Sequence, residues 1–209
     1  AELFGKTEEF TVNIGGAYNA YNALAAIAVT ASLGVPTEII REGLETVKVM
    51  GRMETYRLKD SVDVIVDYAH NKMSYQVLFD YVKKQYPDRK VGFVFGCVGG
   101  KAFNRRKEAG EIAEKYADFV VITELDPGME DINKICGEIL SYIDHKEKAE
   151  IITDRDTAVY TALKKAEGME NCVLVLAGGS DAYMKRGNKV YPSDTDGERV
   201  QKFLKKIGK

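Results

Sequence analysis

The sharpest pattern in the chain is the β-branched run Val62, Val64, Ile65 and Val66, set off by Asp60-Ser61 and closed by Asp67-Tyr68-Ala69-His70-Asn71. A run this short and this branched fits a buried strand and is too short for a core helix. From Gly51 onward, strands and helices are expected to alternate. Strands over residues 53–59 and 62–67 are close enough to pair as a hairpin. Helices are predicted over 74–85, 105–116, 131–142, 157–167 and 195–207, with strands over 91–95, 119–123, 150–152 and 172–177 between them. Strands separated by single helices require right-handed crossovers. The expected class is therefore α/β: a Rossmann-like three-layer domain with a mainly parallel sheet and one antiparallel edge strand.

The first 50 residues read differently. Phe10, Val12 and Ile14 alternate over residues 8–14 as in a half-buried strand. Leu24, Ile27, Ala28 and Ala31 recur at helical spacing over 18–32, with Gly34 as a stop and Pro36 just beyond. Thr37 is placed to cap a second helix over 38–47, whose apolar side is Ile39, Ile40, Leu44 and Val47. One strand and two helices are too little for a domain. Residues 1–50 read as the end of one, and residues 51–209 as a domain of their own.

Charge and composition narrow the function classes. Thirty Lys and Arg against 32 Asp and Glu, mixed along 209 residues, leave no electrostatic footprint for nucleic acid. The longest apolar runs, such as 24–29 and 119–122, are far below the roughly 20 residues a membrane span needs. No signal peptide is legible. Cys97, Cys136 and Cys172 are odd in number and lack metal or disulfide spacing, which points to a reduced, cytoplasmic protein whose thiols pack.

Polar residues at a strand's carboxyl end are placed for chemistry in an open parallel sheet. Three motifs then carry a resemblance: Asn19 and Asn22 within residues 16–26, Gly51-Arg52-Met53-Glu54, and Asp67-Tyr68-Ala69-His70-Asn71. Their order and spacing resemble the Mur ligases, above all those adding the third amino acid to UDP-N-acetylmuramoyl-L-alanyl-D-glutamate in peptidoglycan synthesis. The likeness runs from about Gly15 to the C-terminus and implies use of ATP and Mg2+. It implies that residues 1–50 end a central ATP-binding domain, whose phosphate loop, Mg2+ ligands and modified lysine have no counterpart in the chain. The chain alone is thus expected not to turn over ATP.

The resemblance places Asn19 and Asn22 near adenine, where an amide can donate and accept at once; an Asn at a helix start is otherwise a cap. It brings Arg52 onto nucleotide phosphate, with a surface ion pair to Glu54 or Glu45 as the plainer reading. Asp67 would accept from ribose hydroxyls, and His70 and Asn71 would complete the cleft wall; a satisfied structural histidine is the alternative for His70. Lys101 and Arg105 lie in a Gly-rich, cationic loop at a helix start, where an anion can bind.

Three departures concern the incoming amine. Gly100-Lys101-Ala102 stands where diaminopimelate-adding members have Asp-Arg-Asp, Leu125-Asp126-Pro127-Gly128 where they have Asp-Asn-Pro-Arg, and Gly178 to Ala182 where they have Gly-Lys-Gly-His-Glu. Loss of a carboxylate-binding arginine favours L-lysine over diaminopimelate, with Asp126, Glu130 and Asp181 available for its ammonium group unless they are merely solvated. The alternatives are a cyanophycin-synthetase-like ligase, which shares the strand-end motif, and a non-catalytic amino-acid or nucleotide-binding module.

Overall fold

The computed structural model describes every residue except Phe4 and Ala17, and Tyr18 through its backbone alone. A two-stranded hairpin, β1 (Glu2–Leu3) and β2 (Lys6–Thr7), precedes helices α1 (Tyr18–Ser32) and α2 (Thr37–Thr46). Then follow β3 (Glu54–Lys59), β4 (Val62–Asp67), α3 (Lys72–Gln85), β5 (Lys90–Phe95), α4 (Asn104–Tyr116), β6 (Phe119–Ile122) and α5 (Ile132–Ser141). The chain continues through β7 (Ala149–Ile151), α6 (Arg155–Glu167), β8 (Cys172–Ala177), β9 (Tyr183–Arg186), β10 (Lys189–Pro192) and α7 (Asp196–Lys206).

Six strands form one sheet in the order β3-β4-β8-β5-β6-β7. Only β3 runs antiparallel, on the edge, as expected. Period-two alternation divides the side chains of each central strand between two cores. Val62, Val64 and Val66 meet α6 and α7, whereas Ile65, Phe93, Phe95, Val173 and Val175 meet α3, α4 and α5. The topology explains this division. Chain moving outward through β5, β6 and β7 puts its helices on one face, and the return through α6 to β8 reverses direction and must use the other. The reversal places the carboxyl ends of β4, β8 and β5 side by side, the crevice where such sheets hold ligands.

The first 50 residues depart from expectation in three places. Residues 8–14 form no strand; Phe10 and Val12 pack instead as an extended segment on the small core of α1 and α2. Alternation places side chains, but a strand also needs a neighbouring backbone to bond. The buried face of α1 is Ala23, Ile27 and Ala31, while Leu24 is 48% exposed; this helix is apolar nearly all round, so spacing could not choose its face. Pro36 occupies the cap position of α2, and Thr37 is its first helical residue.

The β9–β10 hairpin was not foreseen. Its two-residue loop is Gly187-Asn188, with Gly187 at φ +59°. It docks on the segment after β6 through Gly128 N to Lys185 O (3.0 Å) and Gly187 N to Gly128 O (2.6 Å).

All three cysteines are free and buried, and burial pushes their pKa up to about 12 for Cys97 and Cys136 and about 11 for Cys172. A thiol reagent at pH 8 is therefore expected to label the folded chain at least about 100-fold more slowly than the chain in denaturant, because reaction needs an accessible thiolate. Comparable rates in the two conditions would show that these thiols are reached without unfolding.

Candidate functional site

The segment joining α2 to β3 is held by backbone constraints. Gly51 has φ +68°, and a Cβ there would lie 2.0 Å from Ser180 Oγ, so only glycine fits between this turn and the loop after β8. Gly51 N donates to the Glu54 carboxylate. Met53, also at positive φ (52°), donates its N–H to Asp67 Oδ2 at 3.0 Å, while Ala69 N donates to Oδ1 at 2.9 Å. Asp67 is 3% exposed. These bonds make it an internal brace between the turn and the end of β4.

Beside that turn lies a cleft of about 200 Å³ lined by Asn19 and Asn22 of α1, Leu44 and Val47 of α2, and Arg52. Asn19 is buried, and its Nδ2 donates to Gly15 O (2.6 Å). Its Oδ1 accepts from Asn22 Nδ2 (3.0 Å). The two amides therefore differ in role: Asn19 holds Asn22, whose own Oδ1 and second N–H are left for a ligand. Arg52 is exposed, with its guanidinium 5.0 Å over the Tyr68 ring, and among the described residues no carboxylate pairs with it. The ion pair to Glu54 or Glu45 is not formed.

Tyr68 joins this cleft to the strand ends. Its hydroxyl pKa is raised, first by burial and then by the facing Asp181 carboxylate, with Arg52 pulling the other way. Arg52, Tyr68 and Asp181 are thus neighbours, although they come from the turn between α2 and β3, the end of β4 and the loop after β8. His70 packs edge-on against Tyr68 (5.2 Å), and its Nδ1 lies 2.8 Å from Tyr68 O. A carbonyl only accepts, so Nδ1 is the donor in this contact. Asn71 is the N-cap of α3: its Oδ1 accepts from Ser74 N (3.0 Å), and Ser74 Oγ accepts from Asn71 N (3.1 Å). This capping box fixes the Asn71 side chain at the start of α3.

Farther along the strand ends, Lys101, Asp126 and Gly128 share a hollow of about 300 Å³ with Lys185 and Lys189 of the unforeseen hairpin. Asp126 has φ +45°, and its Oδ1 accepts from Lys185 N (2.8 Å). Glu130 lies in the same region. Its oxygens accept from Arg106 Nη1 and Nη2 (2.9 and 2.6 Å) and from Gly100 N (2.9 Å), so it clasps the start of α4 to the loop before it. Arg106, and secondarily the Gly100 N–H, hold the Glu130 pKa down at about 2. A depressed pKa contributes stability that is complete above the ordinary carboxylate range near 4.5 and is lost as pH falls toward 2. The advantage of the natural chain over Glu130→Gln, roughly 1–3 kcal/mol at pH 7, is expected to shrink steadily below about pH 4.5 in denaturant titrations. An advantage independent of pH would remove the ionised clasp.

Against this geometry stand the comparisons with known proteins. Residues 51–179 match the family described as Mur ligase, glutamate ligase domain. The chain belongs to the Mur ligase family. It is 31% identical over 206 residues to the UDP-N-acetylmuramoyl-L-alanyl-D-glutamate--L-lysine ligase of Enterococcus faecalis, covering 99% of this chain and 41% of that protein. It is 39% identical over 192 residues to the UDP-N-acetylmuramyl-tripeptide synthetase of Ligilactobacillus salivarius, covering 90% of this chain and 37% of that one. A solved UDP-N-acetylmuramoyl-L-alanyl-D-glutamate--2,6-diaminopimelate ligase superposes at TM-score 0.69 with 22% identity, over 96% of this chain and 41% of that one, a likeness of fold. This Mur ligase chain spans about two fifths of the length of the relatives it matches.

Within the Mur ligase chain the expected residues fall into separate groups. Arg52, Asn22 and Asn19 share one cleft, and Tyr68 links Arg52 to Asp181 and His70. Lys101 and Asp126 share the second hollow. Arg105, half-buried in the first turn of α4, lines neither. Asp67, Asn71 and Glu130 are bonded into the framework. Tyr68 went unassigned in the sequence although it sits inside the strand-end motif, and Lys185 and Lys189 were missed with their hairpin, whose signal was Gly187-Asn188.

Proposed function

We propose that this chain is the C-terminal part of an ATP-dependent ligase that joins an amino acid to UDP-N-acetylmuramoyl-L-alanyl-D-glutamate for peptidoglycan synthesis in the cytoplasm. Residues 1–50 complete the central ATP-binding domain, and residues 51–209 form the amino-acid-binding domain. The observation that carries the reading is that Arg52, a cation without a carboxylate partner among the described residues, opens into the same cleft as the Asn19–Asn22 amides. An amide edge and a permanently charged planar fork suit the two ends of a purine nucleotide. The names of the relatives support the substrate.

When bound, ATP would supply the activation, its γ-phosphoryl passing to the substrate carboxylate with release of ADP so that attack by the amine expels phosphate. The part of this chain in the reaction is electrostatic and positional. Arg52 neutralises phosphate charge, Asn22 orients the base, and the strand-end loops hold the amine. Among the described residues no group of three or more His, Cys, Asp or Glu could hold a metal, so Mg2+ is assigned no ligand in this chain. With Gly128 where diaminopimelate-adding members have arginine, and Asp126 and Asp181 nearby, L-lysine is the proposed amine.

The test is ADP formation by the full-length enzyme with the UDP-muramyl dipeptide and a panel of lysine, ornithine and diaminopimelate. ADP release that requires both the dipeptide and lysine is the expected result. Release with an aspartate polymer instead would point to a cyanophycin-synthetase-like ligase. Nucleotide binding without turnover on any acceptor would leave a binding module.

A further inference from the structure

Arg155 opens α6 and is 1% exposed, yet nothing in the proposed reaction calls for a cation there. Its guanidinium reaches three separate segments. Nη1 donates to Glu124 O (3.1 Å), just beyond β6, and Nη2 to Ala177 O (3.0 Å), the last residue of β8. Nε and Nη2 donate to Asp196 Oδ1 and Oδ2 (2.9 and 2.6 Å), fully buried at the start of α7. Asp196 N in turn donates to Gly179 O at 2.7 Å. Packing is tight enough that a Cβ on Gly179 would fall 2.3 Å from Arg155 Nε and 2.4 Å from Asp196 Oδ1.

The two carbonyls held by this fork immediately precede the segments that carry Asp126 and Asp181. A buried ion pair is a poor source of net stability, since well-packed apolar residues can often replace it without loss. Rigid registry is what a planar, five-donor fork provides and a lysine cannot.

We propose that Arg155 is a positioning residue: together with Asp196 it fixes the separation between the Asp126 and Asp181 loops, and so the geometry of the amine side of the site. The assignment of those loops to the amine rests on the ligase reading above; the spacing itself does not. Arg155 acts on those loops through the carbonyls of Glu124 and Ala177 and through the Asp196 carboxylate.

Two variants test it. Arg155→Lys keeps the charge and loses the fork, and Gly179→Ala crowds the fork while leaving both charges in place. By hydrogen exchange on the 209-residue chain, both variants are expected to speed exchange about tenfold or more at residues 125–128 and 178–182 together, with β4 and α3 unchanged. In the full-length enzyme the KM for the amine should rise about tenfold while the KM for ATP stays put and kcat changes by less than about threefold. Unaltered exchange in both loops, a change in one alone, or a uniform rise throughout the chain overturns the proposal. So does loss of the fold in both variants, which would make the pair a general stability element. If the full-length enzyme forms no amide, the ligase reading fails, and the exchange result still decides the positioning claim.

Discussion

Replacing Arg52 by alanine in the full-length enzyme is expected to lower kcat by about 10²–10³-fold, the usual cost of removing one donor aimed at developing charge. The fold should scarcely notice. Arg52 is exposed, makes no ion pair among the described residues, and its contact over Tyr68 at 5.0 Å is worth roughly 0.5–1 kcal/mol, or no more than about 3 °C in the midpoint of a chain this size. Arg52→Lys restores the charge without the two-pronged geometry and should recover only part of the rate. Steady-state kinetics at saturating ATP, beside a melting curve of the same sample, separates the two effects. An unchanged kcat would take Arg52 out of the site.

Asp67→Ala is expected to produce the opposite profile. Both carboxylate oxygens of this buried residue accept backbone N–H groups, from Met53 and Ala69, and deleting them strands two donors. An orphaned buried donor costs about 1–3 kcal/mol, so the variant should lose roughly 2–5 kcal/mol and melt on the order of 10 °C lower. Because Met53 closes the Arg52 turn, activity should fall as well, but through the turn. A variant that melts like the natural chain and yet loses nucleotide affinity would return Asp67 to the ligand, as the sequence alone suggested.

Asp67 also shows where sequence reading stops. The β-branched run of β4 and the spacing of helices after Gly51 were legible because a central strand buries both of its faces, one in each core, and that demand is written locally. Acids at strand ends carry no such mark. Asp67, Glu130 and Asn71 were assigned to ligands on residue type and place, and their bonds to a turn 14 residues back, to a buried arginine 24 residues back and to a helix start had no local signal. The same limit explains the two misread elements in opposite directions. Residues 8–14 alternate but find no strand to pair with, and β9–β10 pair well but are exposed on nearly every residue, so hydrophobic alternation could not announce them. Arg155 had no signal at all, since its partners lie 22, 31 and 41 residues away.

The central claim is that adenine lies at the Asn19–Asn22 pair with the phosphates toward Arg52. Photolabelling of the full-length enzyme with 8-azido-ATP, followed by peptide mapping, tests it most directly. Label concentrated in residues 16–26, displaced by ATP and weakened by Arg52→Ala, is the predicted result. Displaceable label on the 98–102 or 178–186 loops, with none near the Asn pair, would contradict it.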